Sequence, residues 1–145
     1  MEAARTHRRT VALVALVAIA AIAPAAGASA ATLRLRAPKE IDRAETFRVV
    51  AKGKAKPRKD YLVSVLYHDD DQGRCARTVA KEITRNEHYA VLYQRKVVTD
   101  DDGRFELTSR KVVGGERKTT GRFCGYLTNE DGDNKDKVVR PIAFT

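Results

Sequence analysis

The sequence predicts an all-β fold: an antiparallel β-sandwich of about seven strands, with one short helix and one disulfide. Three observations carry that expectation. Apolar residues recur at every second position along most of the chain, the pattern of half-buried strands. Clusters of Gly, Pro, Asn and Asp punctuate those stretches at short intervals. The chain also opens on a leader that fixes the compartment and, with it, the state of the two cysteines.

The leader begins with Arg5, Arg8 and Arg9, continues as an unbroken apolar run over 11–23, and is stopped by Pro24. Ala28-Ser29-Ala30 then supplies the small-x-small pattern that a signal peptidase reads. The expected organisation is a signal peptide over 1–30 and one domain over 31–145. A membrane-spanning helix needs about 20 apolar residues, and this run is shorter, so no stable span is expected after cleavage. No cysteine follows the run closely, which argues against a lipid anchor. Arg8-Arg9 lacks the companions of a twin-arginine signal, which leaves general secretion.

Without Arg5, Arg8, Arg9 and Glu2, the 28 basic and 19 acidic residues become 25 and 18, and the net charge falls from +9 to +7. About 115 residues remain, enough for one core and too few for two. A basic exported chain suits anionic partners such as wall polymers.

Cys75 and Cys124 are the only cysteines. In an oxidising compartment they are expected to bridge. Closing a loop of about 50 residues stabilises by roughly 4 kcal/mol on the chain-entropy model. Each cysteine reads as lying in a different β context, so the bridge is expected to pin distant parts of the sandwich. A nucleophilic thiol would need a base beside it. Only His68 and His88 remain after cleavage, and neither has sequence support for that role.

The elements follow in order. Residues 32–36 alternate Leu33 and Leu35 with arginines and read as an edge strand, ended by Pro38. Residues 46–52 place Phe47, Val49 and Ala51 on one face. Residues 53–60 read as a basic loop around Pro57. The nearly continuous apolar run 61–67 reads as a central strand, and 68–73 as a turn. Ala76, Val79, Ala80 and Ile83 recur at helical spacing, so 75–86 reads as a short helix, with strand as the competing reading. Residues 89–98 and 104–109 form a strand pair joined by a hairpin turn, where Asp102-Gly103 suits positive φ angles. Gly114-Gly115 breaks the chain. Residues 121–128 form a strand carrying Cys124, 129–137 a polar loop, and 138–144 a last strand that Pro141 confines to an edge.

Several of these pieces resemble known modules. Ala37-Pro38 followed by the Glu45-Thr46-Phe47-Arg48-Val49 strand resembles the opening of bacterial immunoglobulin-like domains. The 99–107 hairpin (TDDDGRFEL) is similar to that of carboxypeptidase-regulatory-like sandwiches. Cys75 after Gly73-Arg74, together with Phe123-Cys124-Gly125-Tyr126-Leu127, resembles small secreted Ig-like proteins of actinobacteria. Arg122 stands where antibody-type domains carry the Tyr of a Tyr-x-Cys corner, and the chain has no Trp. The likeness therefore stops short of a true antibody fold. It implies an Ig-like β-sandwich of accessory or adhesive character with no catalytic residues.

Two constellations invite chemistry. Asp69-Asp70-Asp71, Asp100-Asp101-Asp102 and Glu130-Asp131-Gly132-Asp133 place carboxylates on turns, as a weak extracellular calcium site would. Asp and Gly are also what plain turns use. Lys52, Lys54, Lys56, Arg58 and Lys59 form a cationic run suited to phosphate or sulfate groups. No aromatic interleaves it for base stacking, so nucleic acid is not the expected partner. His68 beside Asp69 reads as a surface residue at a strand end. Glu82, Glu87 and Glu106 give no reason to expect a carboxylate pair. The sequence thus predicts a secreted, non-catalytic binding or structural module without a cofactor. Its partner would be an anionic cell-wall polymer or another surface protein. Calcium binding by the acidic turns and polyanion binding by residues 52–59 are the two alternative readings.

Overall fold

The structure is a computed structural model that describes residues 30–85, 90–115 and 117–145. The predicted leader, apart from Ala30, and His88 lie outside the described residues. The order of elements is β1 (Thr32–Arg36), β2 (Glu40–Ile41), β3 (Thr46–Phe47), β4 (Val50–Lys54), β5 (Asp60–Asp69), a 3-10 turn (Asp70–Gln72), α1 (Val79–Arg85), β6 (Ala90–Val98), β7 (Arg104–Thr108), β8 (Val112–Val113), β9 (Thr119–Asn129) and β10 (Asn134–Phe144). One sheet runs β2-β10-β9-β5-β6, a second runs β1-β4-β7, and β3 pairs with β8. All pairings are antiparallel except the short contact of β2 with β10. The seven longer strands correspond to those the period-two pattern predicts; β2 and β8 are two-residue additions, and β3 is the first part of the predicted 46–52 strand.

The alternation decides what goes inside. Leu33 and Leu35 of β1, Ala51 of β4 and Phe105 of β7 face Tyr61, Val63, Val65, Phe123, Leu127 and Ile142 of the larger sheet. Each large apolar side chain removed from water here contributes about 1.5–3 kcal/mol. Phe47, Tyr67, Phe123 and Phe144 close one end of the core as a tilted aromatic cluster with ring centroids 5.7–6.1 Å apart.

Four boundaries differ from expectation. The strand over 46–52 splits, because β3 pairs with β8 whereas β4 pairs with β1 and β7. At the break the Val49 N–H donates to Ser109 Oγ (2.9 Å), and the Ser109 N–H returns to Val49 O. The basic loop contracts to 55–59, since β4 runs on through Lys54 and β5 starts at Asp60. The polar loop contracts to a tight turn closed by Gly132 N–H to Asn129 O (3.0 Å), and β10 starts at Asn134. The 99–103 turn joins no hairpin pair, because β6 pairs with β5 in the larger sheet and β7 with β4 in the smaller one; within the turn only Gly103 takes a positive φ (79°). A Cβ there would lie 2.1 Å from Ala55 O. Pro141 sits where β10 has only β9 beside it, because β2 pairs with β10 only at Ala143 and Phe144.

Cys75 and Cys124 are bridged, yet the bridge does not pin one sheet to the other. Along β9, Phe123 and Leu127 face the main core, while Cys124 and Tyr126 face the opposite side. Cys75 lies on no strand; it precedes α1 in the segment between β5 and β6. The disulfide therefore staples that segment onto the outer face of the five-stranded sheet. A second small core forms there from Leu66, Cys75, Cys124 and Tyr126, with Val79 of α1 packed against it.

Candidate functional site

The outer face of the three-stranded sheet gathers charge by register alone. The residues between the inward Leu33, Leu35, Ala51 and Phe105 must point to solvent. Arg34 of β1 stands opposite Lys52 of β4, which stands opposite Glu106 of β7. In the next row Thr32, Lys54 and Arg104 align, and in the row on the other side Arg36, Val50 and Thr108. Arg36, Arg34, Lys52, Lys54 and Arg104 therefore descend the sheet as a diagonal staircase. Strand spacing and rise make this band about 17 Å long, with a step of about 5–7 Å between cations.

Little on the protein neutralises the band. Arg34, Arg36, Lys52 and Lys54 make no ion pair among the described residues. Arg104 reaches Asp102 at 3.5 Å, with both side chains about two-thirds exposed (69% and 68%), and such pairs are worth little. Glu106 is the one acidic residue among the nine outward ladder positions. The centre of the band is a shallow depression of about 510 Å³ lined by Arg34, Lys52, Lys54 and Arg104, with Asp100 and Glu106 at the same depression. Gly53 lies in its floor, where a Cβ would collide with Thr32 O of β1.

The five predicted anion-binding residues do not converge. Lys52 and Lys54 join the band. Arg58 turns away in a left-handed conformation (φ 51°) and pairs with Asp101 at 2.6 Å. That hydrogen bond raises the guanidinium pKa and lowers the Asp101 carboxyl. Lys56 and Lys59 border a different depression together with Asp60, Glu130 and Asp131.

The acidic turns are occupied by their own neighbourhood. Asp100 Oδ1 accepts the N–H groups of Asp102 (3.0 Å) and Arg104 (2.7 Å). Asp69 Oδ1 accepts the Tyr67 hydroxyl (2.8 Å). Asp70 meets Arg122 at 2.5 Å, and hydrogen bonds from Thr120 and then Arg122 lower its carboxyl pKa. Asp133 lies 3.5 Å from Lys135. The 69–71 turn ends β5, while the 100–102 and 130–133 turns cluster at the end of the sheet where β5 starts.

His68 is no surface residue. Strand β5 runs past it, and its side chain, like that of Glu82, is fully buried (0%). His68 Nε2 meets Glu82 Oε1 at 2.5 Å. Glu82 Oε2 accepts the Ala76 N–H and the Tyr126 hydroxyl, the latter at 2.8 Å. Helix α1 thus turns Glu82 and Val79 inward and leaves Ile83 38% exposed, against the apolar spacing. Burial first, then Glu82, pushes the Tyr126 phenol well above its ordinary range.

No family model and no curated protein matches the sequence. Solved structures do match in shape. A crystal structure of a CARDB domain from Pyrococcus furiosus, in complex with di-metal ions, superposes with TM-score 0.55 and 9% identity over 79% of this chain and 87% of that one. The fold is an Ig-like β-sandwich. The solution structure of the same domain gives TM-score 0.54 and 9% identity over 80% of this chain and 94% of that one. A β-glucosidase from Listeria innocua matches at TM-score 0.53 and 12% identity over 79% of this chain but only 16% of the enzyme. Identities this low establish the architecture and nothing about chemistry.

Proposed function

We propose that this protein is an extracellular, non-catalytic module that binds an extended polyanion along the outer face of its three-stranded sheet. The carrying observation is the diagonal of five cations, four of them without an ion-pair partner among the described residues. A linear chain bearing phosphate, sulfate or carboxylate groups every few ångströms can follow that diagonal. A compact anion touches only one step of it. The predicted secretory leader and the disulfide support an anionic cell-wall polymer as the partner.

Titration with inorganic polyphosphate at several salt concentrations tests the reading. Each cation that neutralises a phosphate releases counterions, and the logarithm of affinity falls with log salt by about 0.7 per contact on a flexible chain. The expected slope for five contacts is therefore about −3.5. The triple variant Arg34→Gln, Lys52→Gln, Lys54→Gln should lose about 2 units of that slope. Lys56→Gln with Lys59→Gln should leave it nearly unchanged. Equal losses from both sets would mean that binding follows net charge and not this face.

A further inference from the structure

We propose that the buried side-chain cluster beneath α1 is a second, latent site that holds one Zn²⁺ once the Cys75–Cys124 bridge is reduced. One ligand atom each from His68, Glu82 and Cys124 lies within 4.8 Å of the others, and all three residues are buried. Cys75 contributes a fourth donor because its sulfur is bonded to that of Cys124. Two thiolates, an imidazole and a carboxylate are a donor set that Zn²⁺ takes in four-coordinate sites. Tetrahedral coordination at normal bond lengths places such atoms about 3.3–3.8 Å apart, so small movements suffice.

The surroundings already hold the ligands. Glu82 Oε2 is fixed by the Ala76 N–H and the Tyr126 hydroxyl, with Oε1 turned to His68 Nε2. An ion entering between Oε1 and Nε2 would replace one buried electrostatic contact with another and keep those outer hydrogen bonds, which orient metal ligands. The bridge and the metal are alternative occupants. A dithiol gives two electrons and two protons to the disulfide and leaves as its own disulfide. Zn²⁺ then displaces the two thiol protons to solvent. Reduction also opens the path, because the seven-residue α1 is too short to stand alone and its segment loses its covalent staple.

The test uses the full chain with Co²⁺ as a spectroscopic probe. The protein is reduced by a phosphine, itself oxidised to the phosphine oxide, and kept free of oxygen. The reduced protein should bind one equivalent of Co²⁺, with thiolate-to-cobalt charge transfer and tetrahedral d–d bands that Zn²⁺ bleaches. The oxidised protein should show neither. His68→Gln and Glu82→Gln should each weaken Co²⁺ binding at least about tenfold; Cys124→Ser should weaken the charge-transfer band, and Cys75→Ser with Cys124→Ser should remove it. Melting separates a folded site from capture by a loose chain: Zn²⁺ should raise the melting temperature of the reduced protein. No stoichiometric binding, unchanged affinity in the His68 and Glu82 variants, or a melting temperature lowered by Zn²⁺ would each overturn the proposal.

Discussion

On the outer face of the three-stranded sheet, Arg34, Lys52 and Lys54 stand in water. On the outer face of the five-stranded sheet, His68, Glu82 and Tyr126 are sealed beneath a stapled segment. Both faces come from the same alternation, and both carry polar residues opposite a hydrophobic core. The difference lies in what covers them. An open face can tolerate five cations because water solvates each one. A covered face must satisfy every polar atom from within, since an unpaired buried charge costs several kcal/mol. Glu82 survives there because it receives the Ala76 N–H, the Tyr126 hydroxyl and His68. On the proposed reading the first face serves an outside partner, whereas the second is satisfied from within.

Removing the carboxylate breaks that contrast most severely. Glu82→Ala strands His68, Tyr126 and the Ala76 N–H in a closed pocket, and should cost about 3–5 kcal/mol in urea denaturation. A loss below about 1 kcal/mol would show that water enters freely and that the face is not sealed. The staple ranks next. Cys75→Ala with Cys124→Ala reopens a loop spanning 49 positions and should cost up to about 4 kcal/mol. Because the bridge ties α1's segment to one sheet, amide exchange should rise in residues 70–85 and around Cys124 of β9, while β1 and β4 stay protected. Uniform loss of protection would mean that the staple governs the whole sandwich.

Alkaline titration sharpens the comparison further. Burial and Glu82 raise the Tyr126 phenol, burial and Asp69 raise that of Tyr67, and burial lifts Tyr93 to about 12. In the unfolded chain phenols ionise near pH 10. The unfolded state therefore loses its protons first as pH rises. The stabilising contribution is complete below about pH 10; that of Tyr93 is lost by about pH 12, while those of Tyr67 and Tyr126 go on declining above it. Tyr126→Phe should flatten part of that decline in denaturation experiments. An unaltered alkaline limb would show that the Tyr126 phenol ionises with equal ease in both states.

The sequence was readable where one residue's neighbours along the chain decide its fate. Leu33, Leu35, Val63 and Phe105 announced their face by period two, and Asp102-Gly103 announced its turn. It was unreadable where pairing register decides. Lys54 read as loop because the strand was expected to end at Lys52, yet β4 runs on through Lys54 and Gly53 occupies an inward strand position between the two lysines. Arg34 and Arg36 were counted as strand residues and not as site residues, because nothing in the chain reveals that Arg34 will stand beside Lys52. Glu82 misled for a related reason. Helical spacing ranked Ile83 as the inward residue, and only the assembled donors from Ala76, Tyr126 and His68 make a buried carboxylate the better choice. The cysteine pairing followed from the count, whereas its location on the outside of a sheet required β9's two faces to be told apart.

The smallest expected effect bears on the open face. If the cations of the three-stranded sheet are held for a partner and not for the fold, neutralising them should scarcely touch stability. Arg34→Gln, Lys52→Gln and Lys54→Gln together should shift unfolding free energy by no more than about 0.5 kcal/mol, as for exposed sites without special contacts. The direction should be slightly favourable, because Arg34 and Lys52 face each other across β1 and β4 and like charges opposite one another destabilise a sheet. Raising the salt concentration to about 1 M should erase that gain, since the screening length then falls to about 3 Å, below the separation of facing side chains. A loss of more than about 1 kcal/mol would mean that the long aliphatic stems pack on the sheet, and the face would then serve the fold as the covered one does.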